Sequence, residues 1–572
     1  MKTHSLNYPH HIFLKRKAWV VFGMIMAQTT LAPAPEAAFE QAEANSRLVQ
    51  TGLRHSHRYL RAWLGAAEST TGLIPRNLTD SPYWNGKDSG ADNYPFMVLT
   101  AWFTDRAAYD GPLKKMLATE RALTARPGWR GLTDDYRLTG TPALRFTEPE
   151  AVRIFFNSAE YVKDGLLALT EWLGPSPWSE RMFELLDDSF ALAAFATPSG
   201  PIPLGGLNKS VGVEVSGDYL QALARGYWIS GRDPKYLRWG IRLADTYLLP
   251  DRRHYPTRDY STLRLRDHGC EIVSGLCEFY AALHYASRLP GGAEWTEKKA
   301  AYQPQIHEML DRILAVGRNA DGLFYNDINP QTGEILDARV SDSWGYVLNA
   351  FYTVFLVDGT TAYRDAARRP LGALHARYRH YNWEPTEQYP AGSQDGYADA
   401  IEGALNLHNR FQADESAALI KAWLDSEIHE LWARQQPDGF IEKWHGDGNF
   451  ARTTIMYCLW KSQGASLQPW RADVRVGAVR VGDALQVVVA ADQPWRGTLH
   501  FDYPRHREAL HLPADWPRIN QFPEWFTVRA GQSYTLRGLP GQGSATFSAA
   551  QLRAGILLEV KAGEALRLTL AP

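Results

Sequence analysis

Between Phe39 and Gly464 the chain alternates two kinds of helical segment, distinguished by where their apolar positions fall. One kind is amphipathic, with apolar residues three and four apart and a charged opposite face: Glu40 to Ala66, Ala108 to Ala125, Ser179 to Ala196, Pro234 to Leu249, Glu297 to Val316, Ala362 to His380 and Glu415 to Arg434. That spacing predicts helices with one wet face. The other kind is small, apolar and aromatic nearly all round: Asp92 to Phe103, Ser158 to Leu173, Glu214 to Ile229, His268 to Ser287, Asp342 to Val357, Gly396 to Leu407 and Asn449 to Lys461. These are predicted to be buried on most sides. Seven rounds of outer and inner helix result. Inner-to-outer links are short, as at Gly174 to Trp178, Gly231 to Asp233 and Asp358 to Thr361. Outer-to-inner links are long and rich in Gly, Pro, Trp and charge, as at Glu68 to Ala91, Arg126 to Asn157, Gly317 to Ser341 and Gln435 to Gly448. In a ring of antiparallel helix pairs every inner helix points the same way, so the long links gather on one rim. Loops of that length in a compact domain are usually functional.

Near Gln468 the pattern changes. From Ala472 to Leu570 it becomes period-two and β-branched, as in Val474-Arg475-Val476 and Leu485-Gln486-Val487-Val488-Val489, with turn signals at Gly482-Asp483, Tyr503-Pro504 and Gly541-Gln542-Gly543. This predicts a sheet-rich module, expected to brace the helical ring rather than to bind substrate. The expected division is therefore 39–467 for the helical domain and 468–572 for the β module.

Composition narrows the function classes. A chain of 572 residues exceeds what one compact core carries. The net charge of -2 gives no general attraction for nucleic acid or an anionic membrane. Aromatic content is high, with Trp 20, Tyr 27 and Phe 22, and sugar faces stack on such rings. Residues 1–38 read as an export signal: Lys15, Arg16 and Lys17 precede the apolar run Ala18 to Ala27 and the small residues Ala32, Ala34, Ala37 and Ala38. The expectation is a secreted or periplasmic protein with no membrane attachment after signal removal. Of three cysteines, Cys270 and Cys277 lie about 10 Å apart along one helix, too far to bridge. No zinc spacing, P-loop, dinucleotide fingerprint or G-x-S-x-G elbow is present, so neither metal nor cofactor is expected. Asn326 to Glu334 grazes a calcium-loop pattern but reads better as a turn. Asn77-Leu78-Thr79 and Asn208-Lys209-Ser210 match the glycosylation acceptor rule.

The chemistry concentrates at the starts of the inner helices, where a buried helix has no reason to carry charge. Trp84, Asn85, Lys87, Asp88 and Asp92 open the first, Asn157 lies at the second and Glu214 opens the third. Asp267, His268 and Glu271 open the fourth, after Arg266; Asp342, Trp344 and Tyr346 the fifth; Asp395, Tyr397, Asp399 and Glu402 the sixth. Trp444, His445 and Arg452 belong to the seventh. Asp395, Asp399 and Glu402 are four and three apart, which stacks three carboxylates on one helical face. Such a stripe needs a compensating cation, for which Lys87, Arg153, Arg266, Lys443 and Arg452 are candidates, or a protonated member, which is what a general acid requires. His268 beside Asp267 and Glu271 can titrate near neutral pH. For Asp92, Asp342 and Asp395 ordinary helix capping is the competing explanation, and for the aromatics it is rim packing.

The segments Arg266-Asp267-His268-Gly269-Cys270-Glu271, Ser341-Asp342-Ser343-Trp344-Gly345-Tyr346 and Asp395-Gly396-Tyr397-Ala398-Asp399 resemble inner-helix openings in the (α/α) toroid glycoside hydrolases and polysaccharide lyases. With the layout of helical hairpins followed by a β module, the resemblance spans nearly the whole mature chain and is architectural. It implies a mainly α fold, an (α/α)6 or (α/α)7 toroid with a C-terminal antiparallel β-sandwich, and a carbohydrate substrate. Hydrolysis would use the carboxylates Asp267, Glu271, Asp342, Asp395, Asp399 and Glu402, with His268 beside them. β-Elimination from a uronic acid would instead use a base and carboxylate-neutralising groups among Asn157, His268, Tyr397 and Arg452. Hydrolysis is favoured because rim carboxylates outnumber rim cations, a poor welcome for a polyanion. A non-catalytic glycan-binding protein is the third possibility; it predicts aromatics with few apposed acids.

Overall fold

The computed structural model describes residues 35–79, 82–125, 128–140, 143–204, 211–249, 251, 253–412 and 417–572; the export segment as far as residue 34 and the acceptor site at Asn208 lie outside the described residues. The longer helices are α1 (Pro35–Ala66), α2 (Tyr94–Thr104), α3 (Lys114–Thr124), α4 (Ala151–Glu160), α5 (Leu167–Leu173), α6 (Pro177–Ala191), α7 (Val211–Ile229) and α8 (Pro234–Leu248). They continue with α9 (Cys270–Ser287), α10 (Ala293–Val316), α11 (Trp344–Asp358), α12 (Thr361–Arg377), α13 (Gln394–Arg410), α14 (Ala417–Ala433) and α15 (Asp447–Ser462). A π-helical stretch, Tyr161–Leu166, joins α4 to α5 as one rod.

Burial separates the two kinds as the pattern predicts. Every residue of α15 is buried, whereas α1 alternates buried and exposed positions. The buried helices pack in succession: α2 on α5, α4 on α7, then α7, α9, α11, α13 and α15 in turn, with α15 returning to α2. Their backbones come close because glycines meet at the crossings. A Cβ on Gly345 would stand 2.4 Å from the Gly403 Cα, and one on Gly275 2.5 Å from the Gly217 carbonyl oxygen. Where side chains are absent, neighbouring helices approach and the ring closes tightly.

Eight strands follow: β1 (Ser466–Gln468), β2 (Val474–Val481), β3 (Ala484–Ala491), β4 (Trp495–His500), β5 (Ser533–Leu539), β6 (Gly543–Ser548), β7 (Ile556–Val560) and β8 (Ala565–Ala571). They form a five-stranded sheet in the order β6-β5-β8-β3-β2 and a three-stranded sheet in the order β7-β4-β1, with every named pair antiparallel. Val487 and Leu568 of the first sheet share a core with Leu499 and Leu558 of the second. β2 lies along α1, where Asn45 donates to the Ala478 carbonyl at 3.0 Å.

While Phe501, Phe526 and Val528 at its ends stay in the module's core, the middle of the segment between β4 and β5 leaves this module. Its Leu510, Leu512, Trp516, Ile519, Phe522 and Trp525 belong to the hydrophobic core of the helical domain. Arg518 grips both oxygens of Glu171 at 2.8 and 3.1 Å, Trp516 donates to Glu278 at 3.0 Å, and Arg410 reaches Asp515 at 3.1 Å. The module thus does more than brace the ring from outside. Elsewhere, Asn326 to Glu334 forms a hairpin turn in which Asn329 Oδ1 accepts from the Gln331 and Thr332 amides. Cys270, Cys277 and Cys458 are buried free thiols.

Candidate active site

The starts of the inner helices surround a cavity of about 330 Å³. Asp88 and Asp92 reach it from the turn before α2; Glu160, Lys163 and Asp164 from the rod α4–α5; Asp267, His268 and Glu271 from the start of α9. Tyr346 enters from α11, Asp395 and Asp399 from α13, and His445, Asn449 and Arg452 from the start of α15. Phe156 of α4, Lys87 of the π-helical turn before α2, and Arg76, Arg264, Arg266, Glu384 and Trp444 of the connections between helices complete the walls, and Ile519 contributes from the C-terminal segment.

His268 sits at the centre of one cluster, in a left-handed backbone conformation with φ 64°. Its Nε2 lies 2.9 Å from Asp267 Oδ2 and its Nδ1 bonds Glu214 Oε1. The Asp267 charge dominates, and despite partial burial the imidazole is pushed up to about 12, an imidazolium that donates to both carboxylates. Burial alone would raise the Asp267 carboxyl, but His268 holds it well below the usual range. Next to it Glu271 is buried and pushed up to about 7 by desolvation, despite the Lys163 ammonium 3.9 Å away.

Across the cavity the carboxylate stripe on α13 has found its cation in Arg452. The guanidinium bonds Asp399 Oδ1 through Nη2 at 2.6 Å and lies 2.9 Å from Glu402 Oε2 through Nε. Asp395 has no such partner. Asn449 Nδ2 donates to its Oδ1 at 2.7 Å, while burial and the nearby Asp399 and Glu384 charges drive its carboxyl well above the ordinary range. Asp92 is driven up in the same way by burial and by Asp164 and Asp88. Burial also tends to raise Asp88, yet His445, Lys87 and the Arg76 guanidinium 2.5 Å away hold it down.

Several residues placed at the rim by pattern lie elsewhere. Trp84 and Trp344 are core residues: Trp84 packs against Tyr136 and Tyr161, and Trp344 is wholly buried. Tyr397 is buried with the Arg434 guanidinium 4.3 Å from its ring centre. For these three the packing explanation is the one the geometry follows, because flat rings fill the gaps between crossing helices. Asn85 and Asn157 stand behind the wall, where Asn85 donates to Asp88 at 2.6 Å and Asn157 ties the Lys87 amide to Asp135. Glu214 and Glu402 are buried supports for His268 and Arg452, and Asp342 is buried against Ser343, 2.7 Å from its amide. Capping does not explain Asp395, since Ser393 caps α13 by accepting from the Gly396 amide. Arg153 and Lys443 pair with Asp134 and Asp438, away from the stripe.

The pattern overlooked Glu160, Lys163 and Asp164. Their spacing of three and four in an otherwise apolar helix was the available signal, and the π-helical stretch widens the rod just there. Lys163 Nζ lies 2.8 Å from Asp164, 3.7 Å from Asp218 and 3.9 Å from Glu271, one buried cation among several acids. Glu384 and Arg76 come from loops, and Arg264 from the two-residue strand Leu263–Arg264, none with a periodicity to betray it. Among the described residues, Asp88, Asp92 and His445; Glu160, Glu214 and His268; and Glu160, Asp164 and Asp218 each bring three ligand-type atoms within 4.8 Å. Protein cations already occupy these groups: Arg76 on Asp88, the His268 imidazolium, and Lys163 on Asp164. No helix of the described residues is long and apolar enough to cross a membrane.

No protein-family model matches the chain, and no curated protein matches it. Solved structures similar to it are carbohydrate-active enzymes of the (α/α) toroid kind. An alpha-1,6-mannanase of Salegentibacter sp. HEL1_6 is 11% identical with a TM-score of 0.38, covering 71% of this chain and 98% of its own. The unsaturated glucuronyl hydrolase of Bacillus sp. GL1 is 12% identical with a TM-score of 0.34, covering 55% of this chain and 87% of its own. A possible GH105 family member from Salmonella enterica serovar Paratyphi A is 13% identical with a TM-score of 0.34, covering 53% of this chain and 81% of its own.

Proposed function

We propose that this chain is an exported glycoside hydrolase, built as an (α/α)7 toroid (39–467) with a C-terminal β-sandwich (468–572), that cleaves an oligo- or polysaccharide by carboxylate general acid–base catalysis. One observation carries the reading: two carboxyls of a single cavity are perturbed in opposite directions. Asp395 is driven toward its protonated form and Asp267 is held ionised. Glycosidic hydrolysis needs that division of labour, an acid for the leaving oxygen and a carboxylate for water or for the sugar itself. With Asn449 donating to Asp395 Oδ1, the acid proton belongs on Oδ2, from which it passes to the glycosidic oxygen as the bond breaks. Asp267, oriented by His268, activates the water or attacks the anomeric carbon. Trp444 and Tyr346 line the same cavity and supply aromatic surface for the sugar.

Two features weigh against elimination. His268 is an imidazolium and has no lone pair to abstract a proton, and Tyr397 lies under Arg434, outside the cavity lining. The lining holds nine carboxylates against six Lys and Arg side chains, each of the six within 4.0 Å of a carboxylate. A uronate would find each of these Lys and Arg side chains already beside a carboxylate.

The test is digestion of a panel of plant, algal, fungal and animal glycans. New reducing ends without near-ultraviolet absorbance are expected; absorbing, unsaturated products would replace hydrolysis by elimination. Asp395→Asn and Asp267→Asn should each lower turnover by roughly a hundredfold or more with circular dichroism unchanged. Full activity in either removes that residue from the proposed pair.

A further inference from the structure

The turn before α2, the α4–α5 rod and the starts of α9, α11, α13 and α15 all contribute residues to the cavity, and one further lining residue comes from a different part of the chain. Ile519 lines the cavity, and beneath it Asn520 is 1% exposed and adopts a left-handed conformation with φ 58°. From that one position its Oδ1 accepts from Arg452 Nη1 at 3.0 Å, its Nδ2 donates to Asp164 Oδ1 at 2.7 Å, and its backbone amide donates to Glu402 Oε1 at 2.7 Å. Three elements of the wall, α13, α15 and the α4–α5 rod, are therefore tied to one asparagine. Below it the same segment spreads across the other helices: the Ile519 carbonyl accepts from Arg225 at 3.3 Å, Trp516 is bonded to Glu278, and Arg518 to Glu171. All of these groups are buried except Asp164, which is partly exposed toward the cavity.

We infer that the segment 510–525 is a fixed stopper that turns the space inside the helices into a pocket with a single mouth, so that the substrate is the free end of a sugar chain and the action is at chain ends. This rests on the hydrolase reading above and names its substrate class. A polymer cannot thread past buried Arg518 and Trp516, and a cavity of about 330 Å³ holds roughly one or two sugar rings. Asn520 is in turn a positioning residue. It fixes the guanidinium of Arg452, whose other nitrogens compensate Asp399 and Glu402, and hence the side of the cavity where Asp395 works. Among the described residues, the β module contributes to the cavity lining only through this segment.

The experiment follows product size over time during digestion of the same glycan panel by the full chain. A single short product from the earliest times, with the length distribution of the remaining polymer barely changed and no product from cyclic glycans of the same linkage, is expected. A ladder of mixed lengths at early times overturns the end-acting inference and leaves hydrolysis standing. No product from any glycan removes hydrolysis and the inference with it. Asn520→Gly keeps the left-handed backbone and its amide bond while deleting both side-chain bonds; kcat is expected to fall about tenfold or more with KM within about threefold, and the pH profile to move. An unchanged kcat and pH profile in a folded N520G protein overturns the positioning role. Should N520G fail to fold, the product sizes of the unaltered protein decide alone.

Discussion

Glu271 offers the sharpest test of the buried electrostatics. Its side chain is 6% exposed, its Oε2 has no hydrogen-bond partner among the described residues, and the Lys163 ammonium is 3.9 Å away, too far for a hydrogen bond. Desolvation dominates, and the carboxyl ionises near 7 rather than at its ordinary 4.5. A carboxyl that binds its proton more tightly in the folded chain than in the unfolded one favours folding below the unfolded value and loses that advantage as pH rises to the folded one. From pH 4.5 to pH 7, at about 1.36 kcal/mol per pH unit, the folded state gives up about 3 kcal/mol. Glu271→Gln has nearly the same shape and no charge to desolvate. Urea denaturation at pH 4, 6 and 8 should find E271Q and the parent alike at pH 4, and E271Q the more stable by up to about 3 kcal/mol at pH 8. A difference that does not change with pH, or a mutant weaker at pH 8 than at pH 4, would refute the argument and show Glu271 ionised and well compensated in the fold.

Other outcomes follow from the same geometry. Asp267→Asn removes the charge that chiefly raises His268, so the imidazole titration seen by NMR should move down from about 12; an unmoved titration would mean that Glu214 alone holds the proton. Arg452→Met leaves Asp399 and Glu402 buried without their cation and should cost about 3–5 kcal/mol, with Glu402→Gln in the same chain returning part of it. Additive losses in that double variant would rule out the pairing. Gly345→Ala drives a methyl to 2.4 Å from the Gly403 Cα and should destabilise by about 1–3 kcal/mol, whereas Gly359→Ala, whose Cβ meets nothing within 4 Å, tests only the cost of its left-handed turn. Equal Tm losses in the two would deny the close crossing of α11 and α13.

The alternation of helices was written in the chain itself. Wet-faced and all-apolar segments differ in period and composition, and each of the seven rounds has its observed helices, because burial on one face or on all faces selects residues directly; the second inner helix alone starts well early, at Ala151 rather than Ser158. The charged starts of α9, α13 and α15 were legible for the same reason: a carboxylate in a buried helix costs free energy and stands out. What a residue faces was not legible. Trp84 and Trp344 read like Trp444, yet two fill the core and one lines the cavity, a matter of helix rotation and crossing that one-dimensional spacing leaves undetermined. Glu384 and Arg76 arrive on loops without period. Least visible was Asn520, more than a hundred residues beyond α13 in a module that reads as an independent sheet, because only packing in three dimensions brings a C-terminal loop under the acids of a helical ring. Sequence period fixes each element and its buried face through local geometry; the tertiary structure alone sets which buried charges meet, since that depends on contacts with no local signature.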